Sequence, residues 1–210
     1  MNMPNATGAA APGTVEFWFD FASNYSYLSI MRIEAEAARR GANVVWRPIL
    51  LGAIFRSFGW NTSPFVLQPI KGAYVWKDMV RQCRKYGLEW TPPSRFPRSA
   101  LLPLRVACFG AEQPWIGAFC KRIATLNFVD DQDIEDTDRV AQVLTNLGLS
   151  AAPIIAQALG DANKLALRRQ TEAARTLGIF GAPSFVVDGE IYWGDDRLDD
   201  ALDRCAELCR

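Results

Sequence analysis

The stretch VEFWFDFASNYSYLSIMRIEAEAARRGANVVWRPI, residues 15–49, determines the fold of the N-terminal part of the chain. Its first seven residues are rich in aromatics and predict a buried strand. A helix follows, because apolar residues recur at helical spacing up to Gly41, which can adopt the left-handed conformation that ends a helix. Residues 44–49 predict a second strand directly after it. The stretch therefore forms a β-α-β unit, whose two strands run parallel.

The C-terminal part of the chain carries a second sheet signature. Residues 184–187 and 190–193 are short apolar runs that flank Asp188-Gly189, a pair typical of a tight β-hairpin turn. A terminal helix is predicted after Gly194, with its apolar residues on one face. A β-α-β unit and a β-β-α unit together make a four-stranded mixed sheet, which is the layout of thioredoxin.

The residues between these two units are predicted to be almost wholly helical. The sequence thus predicts an α/β fold in which a thioredoxin-like domain, residues 14–51 and 161–210, is interrupted by an all-helical insertion domain, residues 52–160. Residues 1–13 have neither the basic nor the apolar region of a signal peptide and are predicted to be a disordered leader. Helices are predicted over 71–86, 99–111, 114–127, 137–147, 150–159 and 161–177.

The composition excludes several classes of function. The 210 residues include 23 Lys and Arg, 23 Asp and Glu, and no histidine. A chain without histidine has no Ser-His-Asp triad, no Cys-His dyad and no His-ligated metal, and no metal site is expected. The zero net charge, without a basic block, argues against nucleic acid as a partner. No apolar run approaches the ~20 residues that span a bilayer, so the sequence predicts a cytoplasmic protein with reduced thiols.

Cysteines and carboxylates offer no further site by spacing alone. The five cysteines contain no C-x-x-C pair, so neither a disulfide framework nor a zinc knuckle is indicated. Buried, inert thiols on helix faces are the favoured interpretation. The acidic residues between 130 and 138 lack the glycine and terminal glutamate of a calcium-binding loop, which favours a solvated loop and helix N-terminus.

The start of the first helix is the first candidate for chemistry. Thioredoxin-like oxidoreductases place a C-x-x-C there, because the helix N-terminus stabilises a thiolate. This chain has Ser23 and Ser26 in the two cysteine positions, so it cannot exchange dithiol for disulfide at this site. Ser23 could instead hold the thiolate of another molecule, or it could serve only as the N-cap of the helix.

Two further elements are candidates for ligand binding. Pro183 directly precedes a strand, where either a cis bond or an ordinary trans loop proline is possible, and the Ala182 backbone beside it could pair with an extended peptide ligand. Asp195 and Asp196 open the last helix. One carboxylate suffices for capping, which leaves the other to accept from a ligand ammonium group, while backbone N–H groups suit a ligand carboxylate.

These elements together resemble the kappa-class glutathione transferases and, more closely, the bacterial 2-hydroxychromene-2-carboxylate isomerases, which share a DsbA-like fold. The resemblance covers residues 14–208. It depends on the combination of four segments, FDFASNYSYL at 19–28, NTSPFVLQPIKGAY at 61–74, GIFGAPSFVVDG at 178–189 and WGDDRLDD at 193–200.

The resemblance implies glutathione as the cofactor and Ser23 as the catalytic residue that hydrogen-bonds its sulfur. It implies that Ala182, before a cis Pro183, pairs with the cysteinyl backbone of glutathione. It also implies that Asp195 and Asp196 bind the γ-glutamyl end. The family often has Ser or Asn in place of Asp195, and a carboxylate there would repel the γ-glutamyl carboxylate, so we expect Asp195 to act through its backbone N–H and Asp196 to take the ammonium. The remaining glutathione contacts that the resemblance implies are Asn24, Tyr25, Asn61 and Lys71.

The activity that the resemblance implies is the glutathione-dependent interconversion of 2-hydroxychromene-2-carboxylate and trans-o-hydroxybenzylidenepyruvate, a step of naphthalene breakdown, in a homodimer. Two alternatives remain open: a kappa-type transferase or peroxidase acting on another electrophile, and a non-catalytic thioredoxin-like module that binds peptides. A small aromatic carboxylate substrate needs an aromatic wall and a cation. The candidates for the wall are Phe58, Trp60, Tyr74, Trp76 and Trp90, and those for the cation are Lys71, Arg81 and Arg84.

Overall fold

A four-stranded mixed sheet forms the centre of the protein in the computed structural model, which describes residues 13–208. The strand order is β2-β1-β3-β4, with β1 parallel to β2 and antiparallel to β3, and β3 antiparallel to β4. The strands are β1 Thr14–Phe19, β2 Asn43–Pro48, β3 Ser184–Val187 and β4 Glu190–Trp193. The predicted thioredoxin-like sheet is confirmed, including both residue ranges of the C-terminal hairpin.

Ten α-helices surround this sheet within the described residues, and a short 3-10 turn, Asp195–Arg197, precedes the last of them. The helices are α1 Asn24–Arg40, α2 Leu51–Ser57, α3 Pro64–Leu67, α4 Pro69–Tyr86, α5 Leu101–Phe109, α6 Ile116–Phe128, α7 Thr137–Asn146, α8 Ala151–Leu159, α9 Asp161–Leu177 and α10 Leu198–Leu208.

The alternation of side chains along β1 separates two apolar layers. Val15, Phe17 and Phe19 are fully buried in the larger core, which also contains residues of α1 and α10. Trp18 points to the opposite face and packs with Ile54 of α2 and with residues of α9. Because successive strand residues face opposite sides, a strand that is buried on both faces is apolar almost throughout. This explains the aromatic run that the sequence shows.

Most helix boundaries agree with the sequence. Gly41, Gly87 and Gly178 take the left-handed conformation and end α1, α4 and α9 as predicted. The helix predicted from Pro114 begins instead at Ile116, because residues 111–115 form turns. Helices α2 and α3 were not predicted, because at 7 and 4 residues they are too short to show a periodic apolar stripe.

The structure also bears on the predictions for the cysteines, the acidic cluster and membrane-spanning segments. Cys83, Cys120 and Cys205 are buried, and burial raises the pKa of Cys83 to about 11. The Asp136 carboxylate caps α7, as expected for an acidic cluster at a helix start. Among the described residues, no helix is long and apolar enough to span a bilayer.

Two predictions are not decided by the structure. The division into a thioredoxin-like domain and an insertion over 52–160 stays a prediction. The predicted leader, apart from Gly13, lies outside the described residues, as does Cys209.

Candidate functional site

The turn between β1 and α1 is held by a buried carboxylate. Asp20 accepts the backbone N–H of Ala22 and that of Leu51, each at 2.8 Å, and so fixes the start of α2 against the turn. Asp20 is 4% exposed. Desolvation raises the pKa of this carboxyl to about 6, since it outweighs the two backbone hydrogen bonds that lower it. The turn before α1 and the start of α2 therefore depend on one titratable group.

Ser23 stands at the start of α1, where its hydroxyl makes two hydrogen bonds. Its Oγ accepts the N–H of Ser26 at 3.2 Å, which makes Ser23 the N-cap of the helix. The same hydroxyl donates to the carbonyl oxygen of Ala182 at 2.8 Å. The capping role is confirmed, and the second bond joins the helix start to the loop that precedes β3. The role of Ser23 towards a ligand stays a prediction.

The loop before β3 has the cis bond that the sequence left open, since the Ala182–Pro183 peptide is cis. The carbonyl of Pro183 accepts the N–H of Gly194 at 3.0 Å, which ties this loop to the end of β4. Gly194 has φ 110°, a conformation that side chains with a Cβ rarely adopt. A glycine at this position lets the chain turn at once into Asp195 and Asp196.

The first two residues of α1 differ in how their polar groups are satisfied. Asn24 is completely buried, yet neither its amide nitrogen nor its amide oxygen has a hydrogen-bond partner among the described residues. Tyr25 donates its hydroxyl to Asp78 of α4 at 2.8 Å. Desolvation, with the hydrogen bond to this carboxylate, raises the pKa of Tyr25 well above its usual value. The buried amide of Asn24, next to Ser23 in the chain, therefore has unused hydrogen-bonding capacity.

The two aspartates at the last helix have different environments. The Asp195 carboxylate is buried, accepts the Ser29 hydroxyl at 2.9 Å and lies 3.5 Å from the Arg32 guanidinium. Burial raises the pKa of Asp195, while Arg32 and Ser29 lower it. Asp196 is exposed and pairs with Arg197 at 3.1 Å. The Asp195 carboxylate is thus engaged inside the protein, and the roles of both aspartates towards a ligand stay predictions.

A cavity of about 1220 Å³ lies against these groups. Every residue that the resemblance implies to be catalytic or to contact glutathione lines it, and these roles stay predictions. They are Ser23, Asn24, Tyr25, Asn61, Lys71, Ala182, Pro183, Asp195 and Asp196. Three elements distant in sequence therefore meet at one opening: the start of α1, the cis-proline loop and the turn after β4.

The aromatic side chains proposed for a substrate wall divide into two groups. Phe58, Trp60 and Tyr74 line the cavity, and all three are exposed. Trp76 and Trp90 lie outside its lining and stack on each other, with ring centroids 6.2 Å apart. The first group is available to a planar ligand, while Trp76 and Trp90 also pack against the rings of Phe96 and Phe128.

The cations around the cavity also differ from the candidates chosen from the sequence. Lys71 lines the cavity, whereas Arg81 and Arg84 do not. The sequence analysis missed six further cations that line it, namely Arg56, Arg98, Arg105, Lys164, Arg168 and Arg197. For Arg105 a signal was present, because it is the one charged residue within the apolar segment LLPLRVACF. A charge on an otherwise apolar helix needs a partner or a ligand.

A family model described as the DSBA-like thioredoxin domain matches residues 14–206. A 2-hydroxychromene-2-carboxylate isomerase from Sphingobium xenophagum is 29% identical over 189 residues, which cover 89% of this chain and 94% of that protein. Glutathione S-transferase kappa 1 from Homo sapiens is 28% identical over 210 residues, covering 90% of this chain and 88% of that protein.

A solved structure of a 2-hydroxychromene-2-carboxylate isomerase superposes with a TM-score of 0.83 at 23% sequence identity. The superposition covers 94% of this chain and 96% of that one. At this identity the likeness shows the same fold.

Proposed function

The chain belongs to the family of DSBA-like thioredoxin domains, and we propose that it is a glutathione-dependent isomerase of the 2-hydroxychromene-2-carboxylate type. Its reaction is the interconversion of 2-hydroxychromene-2-carboxylate and trans-o-hydroxybenzylidenepyruvate. The observation that carries the proposal is the Ser23 hydroxyl, which stands at a helix start and bonds the cis-proline loop. The names of the S. xenophagum and H. sapiens relatives support the choice of reaction and cofactor.

The chain's own residues fit a cofactor that brings a thiol. Serines occupy both positions where a dithiol would stand, so the nucleophile has to come from elsewhere. The unpaired amide of Asn24 offers a donor and an acceptor to a polar ligand beside Ser23. The exposed Asp196 carboxylate suits an ammonium group, and Lys71 suits a carboxylate. A zwitterionic tripeptide such as glutathione matches this set of groups.

When bound, glutathione would supply a thiolate that adds reversibly to the conjugated carbon of the ring-opened isomer and so allows rotation about the former double bond. With glutathione bound, Ser23 would turn its one hydroxyl hydrogen from the carbonyl oxygen of Ala182 to the sulfur anion. The N-terminus of α1 would add favourable partial positive charge. Both effects lower the pKa of a thiol from about 8.5. Phe58, Trp60 and Tyr74 cover the faces of the bicyclic substrate and exclude water.

The direct test is to follow the isomerisation of 2-hydroxychromene-2-carboxylate by absorbance, with and without glutathione. We expect conversion in the presence of glutathione and only the uncatalysed rate in its absence. Conversion at the same rate without glutathione would contradict the proposal. The second measurement is the affinity for glutathione, obtained by calorimetry. Absence of glutathione binding would favour the alternative of a non-catalytic peptide-binding module.

The kappa-class relative favours a second candidate, in which the same thiolate attacks another electrophile and stays attached to it. The fate of glutathione separates the two reactions. An isomerase leaves the total free thiol unchanged after complete conversion of the substrate, whereas a transferase consumes one glutathione for each molecule converted. A homodimer and a cytoplasmic location stay predictions.

A further inference from the structure

The cations that line the cavity are not all balanced by protein carboxylates. Arg98, Lys164 and Arg197 form ion pairs with Asp131, Asp161 and the two carboxylates Asp196 and Asp200. The others make no side-chain hydrogen bond or ion pair with any residue in the range 13–208. These unpaired cations are Arg56, Lys71, Arg105 and Arg168.

The carboxylates that line the cavity cannot neutralise this excess. Asp20 accepts two backbone N–H groups, Asp195 lies against Arg32, and Asp196 pairs with Arg197. Three carboxylates therefore face seven cations in the cavity lining, and two of the three already pair with an arginine. The cavity carries an excess of positive charge, which favours a ligand with more than one negative charge.

Arg105 is the one of these four cations that has a buried side-chain nitrogen without a hydrogen-bond partner among the described residues. It lies on α5, where every other residue is uncharged. Its Nε is buried without a hydrogen-bond partner in the described part of the chain. A buried N–H donor that has lost water and gained no partner is unfavourable, and more so when it belongs to a charged group. A ligand anion would remove this penalty.

A second arginine faces the cavity from the neighbouring helix. Helix α5 packs against α9, and each contributes residues at the i, i+3 and i+4 spacing of one helix face. The lining residues are Leu101, Leu104 and Arg105 from α5, and Lys164, Leu167 and Arg168 from α9. The two helices thus present leucines together with unpaired guanidinium groups, a surface that suits an apolar ligand with an anionic end.

We propose that Arg105, together with Arg168 of the neighbouring helix α9, binds the carboxylate of the aromatic substrate. A guanidinium group holds a carboxylate through two parallel hydrogen bonds and therefore fixes its orientation as well as its charge. Lys71 and Asp196 are assigned to the two ends of glutathione, so these arginines remain for the second ligand. The proposal rests on the proposed function, whose substrates are aromatic carboxylates.

The test measures binding of a substrate analogue without turnover. The probe is trans-benzylidenepyruvate, which lacks the ring hydroxyl and cannot close to a chromene, and its methyl ester is the neutral control. Calorimetry with the wild-type protein should give at least ~10-fold tighter binding for the acid than for the ester, the scale of a charge-assisted hydrogen bond. Arg105→Met should remove that difference, and Arg105→Lys should restore only part of it.

Two variants at adjacent arginines of α9, one lining the cavity and one not, control for folding defects. Arg168→Gln should weaken binding of the acid by several-fold, whereas Arg169→Gln should not, because Arg169 is an exposed neighbour that does not line the cavity. Equal affinity of the wild-type protein for acid and ester, or unchanged acid binding in both Arg105→Met and Arg168→Gln, would overturn the proposal.

Glutathione affinity, measured for the same variants, separates this inference from the proposed function. Unchanged glutathione affinity together with weaker binding of the acid supports the assignment of Arg105 to the substrate. Weaker glutathione binding in Arg105→Met would overturn it, since the arginine would then hold the cofactor, while the isomerase proposal would stand. A wild-type protein that discriminates acid from ester but binds no glutathione would support the carboxylate site and contradict the glutathione-dependent reaction.

Discussion

Two sides of the same cavity differ in how their polar groups are satisfied. On the sheet side, formed by Asp20, Ser23, Ala182 and Asp195, hydrogen bonds within the protein fix the polar side chains. On the helix side, formed by Arg56, Phe58, Trp60, Arg105 and Arg168, aromatic groups are exposed and guanidinium groups are unpaired. The fold therefore sets the positions of groups on the sheet side, while the helix side is left to a ligand.

The largest effect is expected where the sheet side contains a buried ion pair. Asp195→Ala leaves the Arg32 guanidinium, which is 11% exposed, without its carboxylate. Loss of one partner of a buried pair should lower the free energy of unfolding by about 3–5 kcal/mol, measured by urea denaturation. As the control, Asp203→Ala removes an exposed partner of Arg40 and should cost under about 1 kcal/mol. Equal losses of unfolding free energy in the two variants would show that the buried pair of Asp195 and Arg32 does not stabilise the sheet side more than an exposed pair does.

A somewhat smaller effect concerns the pH dependence of the sheet side. The raised pKa of Asp20, about 6, means that the folded protein holds a proton there which the unfolded chain has already lost. Between about pH 4 and pH 6 the free energy of unfolding should therefore fall as pH rises, by up to roughly 3 kcal/mol from this group.

The variant Asp20→Asn isolates this contribution, because other carboxylates titrate in both proteins. The difference in unfolding free energy between wild type and variant should change across that pH range and become constant above it. A difference that does not vary with pH would rule out a raised pKa for Asp20.

The next effect is on catalysis. Ser23→Ala should lower turnover about 10²-fold or more, because it removes a donor to the charge that develops on the reacting sulfur. The control is Ser26→Ala, since the Ser26 hydroxyl is buried, has no partner in the described range and does not line the cavity. If the two variants turned over equally fast, Ser23 would be a helix cap and nothing more.

The smallest effect is expected at the rim, where Asp196 is 73% exposed. Asp196→Asn should weaken glutathione binding by no more than about fivefold, as is usual for an exposed charge. Asp200→Asn is the matched control, because Asp200 pairs with the same Arg197 but does not line the cavity. Equal affinities of the two variants would exclude a role of Asp196 in holding the ammonium group.

The contrast between the two sides also explains what the sequence could predict. Local signals define the sheet side: the apolar run at Phe17, the cap at Ser23 and the Asp188-Gly189 turn each depend on neighbours along the chain. Ser23, Ala182 and Asp195 were therefore identified from the sequence, whereas Asp20, which bonds the distant Leu51, was not. The helix side depends on how α5 packs against α9, which no local pattern specifies. Arg168 was missed for this reason, and Arg81 and Arg84 were considered instead. Arg105 carried a local signal as the one charge on an apolar helix, but that signal does not show that it lines the cavity.

The pKa of the glutathione thiol when it is bound to the protein tests the central claim most directly. The ultraviolet absorbance of the thiolate, followed as a function of pH, gives this value for the wild type and for Ser23→Ala. We expect the wild-type protein to lower the thiol pKa well below its usual value of about 8.5, and the variant to return it towards that value. A bound thiol with an unshifted pKa in the wild type would contradict the account that Ser23 and the start of α1 activate a borrowed nucleophile.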